Sequence, residues 1–82
     1  MCFCYILKST RTGRYYIGST DDLIRRYWQH QNGRNSSTKA YIPWICVHLE
    51  VFPNRQAAGH RERQIKKWKS KVAIEKLIEG TS

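Results

Sequence analysis

Residues 2–8 alternate in a strand pattern, with Phe3, Tyr5 and Leu7 set to one face and Cys4 and Ile6 to the other. Thr12-Gly13 supplies a turn signal, and Arg14 to Gly18 reads as a second strand. The connection is short, which predicts an antiparallel hairpin. Ser19 and Thr20 are expected to cap a helix, with Asp21 and Asp22 in its first turn. That helix is expected to run to about Gln31 and end at Asn32-Gly33, with Leu23, Ile24, Tyr27 and Trp28 as its apolar residues. Asp22, Arg26 and His30 recur every four positions and share another face. Residues 33–41 are polar and read as a mobile loop. Pro43 opens a third strand, Trp44 to Phe52, in which Val47, Leu49 and Val51 alternate with His48, Glu50 and Phe52. A helix from Arg55 to about Lys69 follows, with Ala58, Ile65 and Trp68 as its expected inner stripe. A last short helix, Val72 to Glu79, offers Ile74, Leu77 and Ile78. The order β-β-α-β-α-α predicts one α+β domain over 1–82, a three-stranded antiparallel sheet with flanking helices.

Composition narrows the choice of partner. The chain has 82 residues, with 15 Lys plus Arg against 6 Asp plus Glu, a net charge of +9. So small a domain builds only a modest core, and such an excess of positive charge favours an anionic partner, nucleic acid or a charged membrane surface. No apolar run approaches the roughly 20 residues that span a bilayer. The opening stretch is too short for a secretion signal, so the cytoplasm is the expected location. Cys2, Cys4 and Cys46 cannot all pair and are expected to be reduced thiols. Cys2-x-Cys4 with Cys46-x-His48 would supply four zinc ligands. That spacing is tighter than the usual zinc knuckle, and small apolar strand residues are the plainer reading.

Candidate chemistry centres on few groups. Phosphodiester hydrolysis usually calls for a divalent cation and an oxygen ligand. Asp21 and Asp22 are explained by a helix start, Glu75 by a pair with Lys71, and Glu50 by a strand position. Glu62 is the one acid inside a basic run that holds Arg55, Arg61, Arg63, Lys66, Lys67, Lys69 and Lys71. It equally fits an ordinary i, i+4 pair with Lys66. Tyr5 and Tyr16 would meet across the hairpin, as a stabilising aromatic pair or as a functional one. A free phenol is only about 0.1% ionised at neutral pH, so a tyrosine base needs cationic surroundings. Arg26 and His30, one helical turn apart, would provide them. A guanidinium donates two parallel hydrogen bonds to a phosphate, and an imidazole shares a proton near neutrality.

The pattern resembles the GIY-YIG nuclease superfamily over nearly the whole chain. The second signature tripeptide stands as Tyr16-Ile17-Gly18, and the first as Phe3-Cys4-Tyr5, which keeps the tyrosine but not the glycine and isoleucine. The family's helical arginine, ten residues after the second tyrosine, falls on Arg26, and its histidine, four further on, on His30. Its metal-binding glutamate looks like Glu62 in the segment from Ala58 to Lys66, and Ser37-Thr38-Lys39 through Pro43-Trp44 resembles the small bacterial single-domain members.

The resemblance implies a nuclease module that hydrolyses phosphodiesters with one Mg²⁺ or Mn²⁺ held by Glu62. Tyr5 is the first choice for taking a proton from water and Tyr16 the second. Arg26 would neutralise the phosphorus centre, and His30 would orient the phenol or relay its proton. Gly18 is expected to allow a close backbone approach where strand turns to helix. The substrate is expected to be DNA sooner than RNA, chosen by shape or through a protein partner. Arg25, Lys39, Arg61, Arg63, Lys66, Lys67 and Lys69 are expected to grip phosphates, and Trp28, Tyr41 and Trp44 are candidates for base stacking. The charge alone leaves a second possibility equally open, a basic nucleic-acid-binding module that does not cut.

Overall fold

The computed structural model describes residues 1–80. Its elements are β1 (Cys2–Ser9), β2 (Tyr15–Thr20), α1 (Leu23–Gln31), a short 3₁₀ turn at Lys39–Tyr41, β3 (Trp44–Phe52), α2 (Arg55–Trp68) and α3 (Lys71–Glu79). The three strands form one antiparallel sheet in the order β2-β1-β3, the α+β architecture anticipated from the pattern. β1 lies in the middle and both its faces are covered, so it reads as a near-continuous apolar run. Cys4 and Ile6 pack with Ile17, with Ile65 of α2 and with Ile74 of α3. Tyr5 and Leu7 face the other way, onto Trp44, with Leu23 and Tyr27 of α1 and with Tyr41 and Ile42. The sheet therefore sits between α2 and α3 on one side and α1 with the 33–43 segment on the other.

The hairpin turn closes where Gly13 takes φ 77° and donates its N–H to the Ser9 carbonyl at 2.9 Å. A side chain at that φ would be strained, so the glycine fixes the turn. The Ser9 hydroxyl, fully buried, accepts the N–H groups of Arg11 and Thr12 at 3.2 and 3.1 Å.

Several local expectations are corrected. Ser19 and Thr20 do not start α1; they stay extended in β2, paired with Cys4 and Phe3. Asp22 is the cap instead, and its carboxylate accepts the Arg25 N–H at 3.1 Å. Ile24 and Trp28 are 84% and 51% exposed, and the residue that α1 buries completely is His30. Residues 33–41 are not a loose loop. Asn35 accepts the N–H groups of Thr38 and Lys39, and Thr38 is buried. Trp44 locks this segment down, donating its indole N–H to the Thr38 carbonyl at 3.1 Å and its backbone N–H to Gln31 Oε1 at 2.6 Å. It is a core residue, out of reach of any base.

On β3 the alternation breaks at a bulge. Leu7 stands opposite Cys46 and Ile6 opposite His48, which leaves Val47 as the extra residue. Val47 packs onto the α2 side, while Leu49 and Val51 remain exposed. Glu50 turns inward toward α2, where Arg61 grips it with Nε at 2.8 Å and Nη2 at 3.1 Å and His48 lies 2.8 Å away. Trp68 lies at the rim of α2 rather than on its inner stripe, with the Arg61 guanidinium 5.6 Å above its ring.

Candidate active site

The register sets the site. Tyr5 on β1 stands directly opposite Gly18 on β2. A Cβ at Gly18 would lie 2.5 Å from the Tyr5 hydroxyl oxygen, 2.6 Å from its Cζ and 3.1 Å from Tyr16 Cε2. The phenol therefore lies flat across Gly18, in space that any other residue would fill. The glycine is required for this crossing, not for the strand-to-helix turn expected from the sequence.

Tyr5, Tyr16 and His30 form one aromatic cluster. Ring centroids lie 6.3 Å apart for Tyr5 and Tyr16, 6.1 Å for Tyr5 and His30 and 4.7 Å for Tyr16 and His30. The Tyr5 hydroxyl is 3.2 Å from His30 Nε2, and His30 Nδ1 is 2.9 Å from Thr38 Oγ1. The Thr38 hydroxyl donates to the Asn35 carbonyl at 3.3 Å. A carbonyl only accepts, so the chain has one direction: the proton on Nδ1 goes to Thr38, and the Nε2 lone pair accepts the Tyr5 O–H. Burial, assisted by the Arg26 charge, lowers the His30 pKa below the ordinary histidine value and keeps the ring neutral.

Burial also raises the Tyr5 pKa, as do Tyr16 and Glu62, while the positive charge of the Arg26 guanidinium pulls it down. Arg26, exposed on α1, and the Glu62 carboxylate are thus both felt at the Tyr5 oxygen. Glu62 reaches this region around the edge of the sheet. β2 is an edge strand, and Ser19, next to Gly18, points to its α2 side. Its hydroxyl donates to Glu62 Oε1 at 2.5 Å, and Lys66 Nζ donates to Oε2 at 2.6 Å. A cavity of about 190 Å³ opens here, lined by Cys2, Ser19, Thr20, Arg26, Arg55 and Ala58.

A single carboxylate beside a hydroxyl fits an ion that keeps most of its waters and shares a substrate phosphate, the usual habit of Mg²⁺. Lys66 is half exposed and its hold on Glu62 is an ordinary i, i+4 pair, so the oxygen it covers is readily released. Zinc ligation by the cysteines has no such basis. Cys4 is a core thiol pushed up to about 11, chiefly by burial, whereas Cys46 lies exposed opposite Leu7 on the other face.

The basic residues expected to hold nucleic acid do not form one patch. Arg25, Lys39, Arg63, Lys66, Lys67 and Lys69 are exposed. Lys66 and Lys69 line a groove with Arg14 and Tyr41, while Arg63 lines a different one with Phe52 and His60. Arg61 is occupied by Glu50. The sequence reading missed Ser19 and Thr38, taken for a helix cap and a loop residue, and Arg55 at the cavity wall. The proximity of Thr38 to a buried histidine leaves no local sequence signal.

Comparison with known proteins identifies the family and the fold. A family model described as the GIY-YIG catalytic domain matches residues 1–77. A UPF0213 protein of Streptococcus pneumoniae is 32% identical over 79 residues, which cover 95% of this chain and 79% of that protein. The structure-specific endonuclease subunit slx1 of Schizosaccharomyces pombe is 47% identical over 62 residues, 67% of this chain but only 23% of slx1. The solution structure of a UPF0213 protein from Bacillus halodurans superimposes with a TM-score of 0.61 at 29% identity, covering 99% of this chain and 86% of that one. Matched over residues 1–77, the chain belongs to the GIY-YIG catalytic domain family.

Proposed function

We propose that this protein is a divalent-metal-dependent endonuclease that hydrolyses DNA phosphodiesters and selects its target by shape. The observation that carries this is the Tyr5 hydroxyl, which bonds the neutral His30 and feels the charges of Arg26 and Glu62. A buried phenol with a raised pKa is a poor free phenolate, but none has to form. As Tyr5 accepts a proton from the attacking water, its own proton passes to Nε2 of His30, whose lone pair already receives it. The hydroxide adds to phosphorus, the bond to the 3′ oxygen breaks, and the departing oxygen takes a proton from solvent. Arg26 offsets the negative charge that builds on the phosphoryl oxygens. Tyr16, packed on the imidazole, holds the ring in line. Glu62, with Ser19 beside it, would hold Mg²⁺ or Mn²⁺, which when bound supplies positive charge against the phosphate and the leaving oxygen.

Selection by shape is supported by the kinship with slx1, described as a structure-specific endonuclease subunit, and that word also favours a protein partner that guides targeting. Three free cysteines suit a reducing compartment such as the cytoplasm. The test is a cleavage panel of single-stranded, duplex, flap and junction DNA and matching RNA, with Mg²⁺, Mn²⁺ or chelator. Cutting is expected with either ion and is expected to vanish in Glu62→Ala and Arg26→Ala. If both variants cut like the parent, the assignment fails. A second reading, a basic binding module without catalysis, is favoured by the engagement of both Glu62 oxygens. It predicts full binding by Glu62→Ala and no scission by the parent with any ion.

A further inference from the structure

We propose that Arg55 and Arg25 form a second phosphate-binding subsite beside Arg26, and that Asp21 occupies it in the free protein. The inference rests on the nucleic-acid substrate of the proposed function but not on cleavage. The cavity at Ser19 shares Thr20, Arg26 and Arg55 with a second cavity of about 210 Å³, which adds Asp21, Arg25, Gln29 and Asp22, whose carboxylate is engaged as the α1 cap. The two hollows form one trough. Its inner end meets the Ser19–Glu62 pair and its outer end runs along the start of α1, so a backbone with one phosphate at Arg26 would carry its neighbour toward Arg25 and Arg55.

Asp21 already sits there as an anion. Its Oδ2 lies 3.1 Å from Arg55 Nη2. Arg55 first, and then Arg25, hold its pKa below the ordinary carboxylate range. The pair ties the β2–α1 junction to the first residue of α2. Asp21 does no other evident work: the helix cap is Asp22, and the turn into it is made by the Thr20 hydroxyl, which accepts the Asp22 N–H at 3.0 Å. A carboxylate and a phosphodiester offer a guanidinium fork the same pair of oxygens. An ion pair with side chains 76% and 54% exposed is weak and exchanges readily. Incoming phosphate would displace Asp21 from Arg55, so Asp21 acts as an internal competitor that restrains binding of poorly seated strands.

The test measures binding of a fluorescein-labelled flap DNA by anisotropy, in chelator and at low salt, so that no cutting intervenes. Asp21→Asn is expected to tighten binding roughly two- to fivefold, the size of an exposed pair relieved. Glu79→Gln, the same charge change on α3, is expected to shift it less than about 1.5-fold by long-range field alone. Arg55→Gln is expected to weaken binding and to reduce the logarithmic salt slope by about 1. In the Arg55→Gln background, Asp21→Asn is expected to add no more than Glu79→Gln does. The proposal is overturned if Asp21→Asn gains as much in that background as alone, or alone gains no more than Glu79→Gln. Melting curves establish that each variant is folded. A chain that passes these tests but never cuts keeps the subsite and loses the nuclease reading; one that cuts but fails the cycle does the reverse.

Discussion

Replacing Gly18 by alanine would test the geometry of the site most directly. The new methyl would stand 2.5 Å from the Tyr5 hydroxyl oxygen and 2.6 Å from Cζ. Unstrained heavy-atom contacts lie near 3.5–4.0 Å, so the phenol must retreat by about 1 Å. It has little room, being 2% exposed. Such a retreat stretches the 3.2 Å link to His30 to about 4 Å, past the range of a hydrogen bond. Overpacking costs about 1–3 kcal/mol, and the loss of a buried hydrogen bond adds about 1 kcal/mol. The expected fall in unfolding free energy, read by urea denaturation at constant slope, is therefore about 2–4 kcal/mol. Cleavage by the folded variant is expected to fall about a hundredfold, as a misplacement of that size warrants. Adding Tyr5→Phe removes the contact at oxygen but leaves the one at Cζ, so part of the stability returns and cleavage does not. If Gly18→Ala is as stable and as active as the parent, Tyr5 does not lie across Gly18 and the site is wrongly built.

Arg26→Lys keeps the charge but loses the fork, and is expected to slow cleavage at least tenfold, with binding of the uncut DNA little changed. Thr38→Val keeps the shape but removes the acceptor for His30 Nδ1–H; nitrogen chemical shifts are expected to show loss of the Nδ1–H tautomer and turnover to fall about tenfold, with Thr38→Ser restoring both. The lowered His30 pKa makes the fold bind fewer protons than the unfolded chain. Its stability contribution is therefore complete above about pH 6.5 and is lost as pH falls below that value. Thermal melts from pH 7.5 to 5 are expected to show this acid limb, shallower in His30→Gln. Lys66→Ala frees Glu62 Oε2 and is expected to lower the Mn²⁺ concentration needed for half-maximal cleavage several-fold; an unchanged requirement would count against Glu62 as the metal ligand.

The fold was legible where periodicity speaks for one element at a time. β1, β3 and α2 emerge within a residue or so of their expected limits because strand alternation and terminators are local. What failed depends on partners. Ser19 and Thr20 have cap chemistry, but pairing with β1 holds them extended. Ile24 and Trp28 look like core residues, yet α1 turns His30 inward because Tyr5 and Thr38 satisfy both its nitrogens. The bulge at Val47 reverses the facing of β3 without any glycine or proline to mark it. The positions of the tyrosine, arginine, histidine and glutamate candidates came from motif spacing. Their division into a hydrogen-bonded cluster and an acid across the strand edge needed the tertiary arrangement.

A sheet of three strands has two borders, and here they are unequal. One, β2, is lined by the cleft; the other, β3, lies beyond the central strand. Further strands joined to β2 would wall off the trough, whereas additions past β3 would leave it open. Growth of this sheet by further strands is thus compatible with an open trough on one flank only.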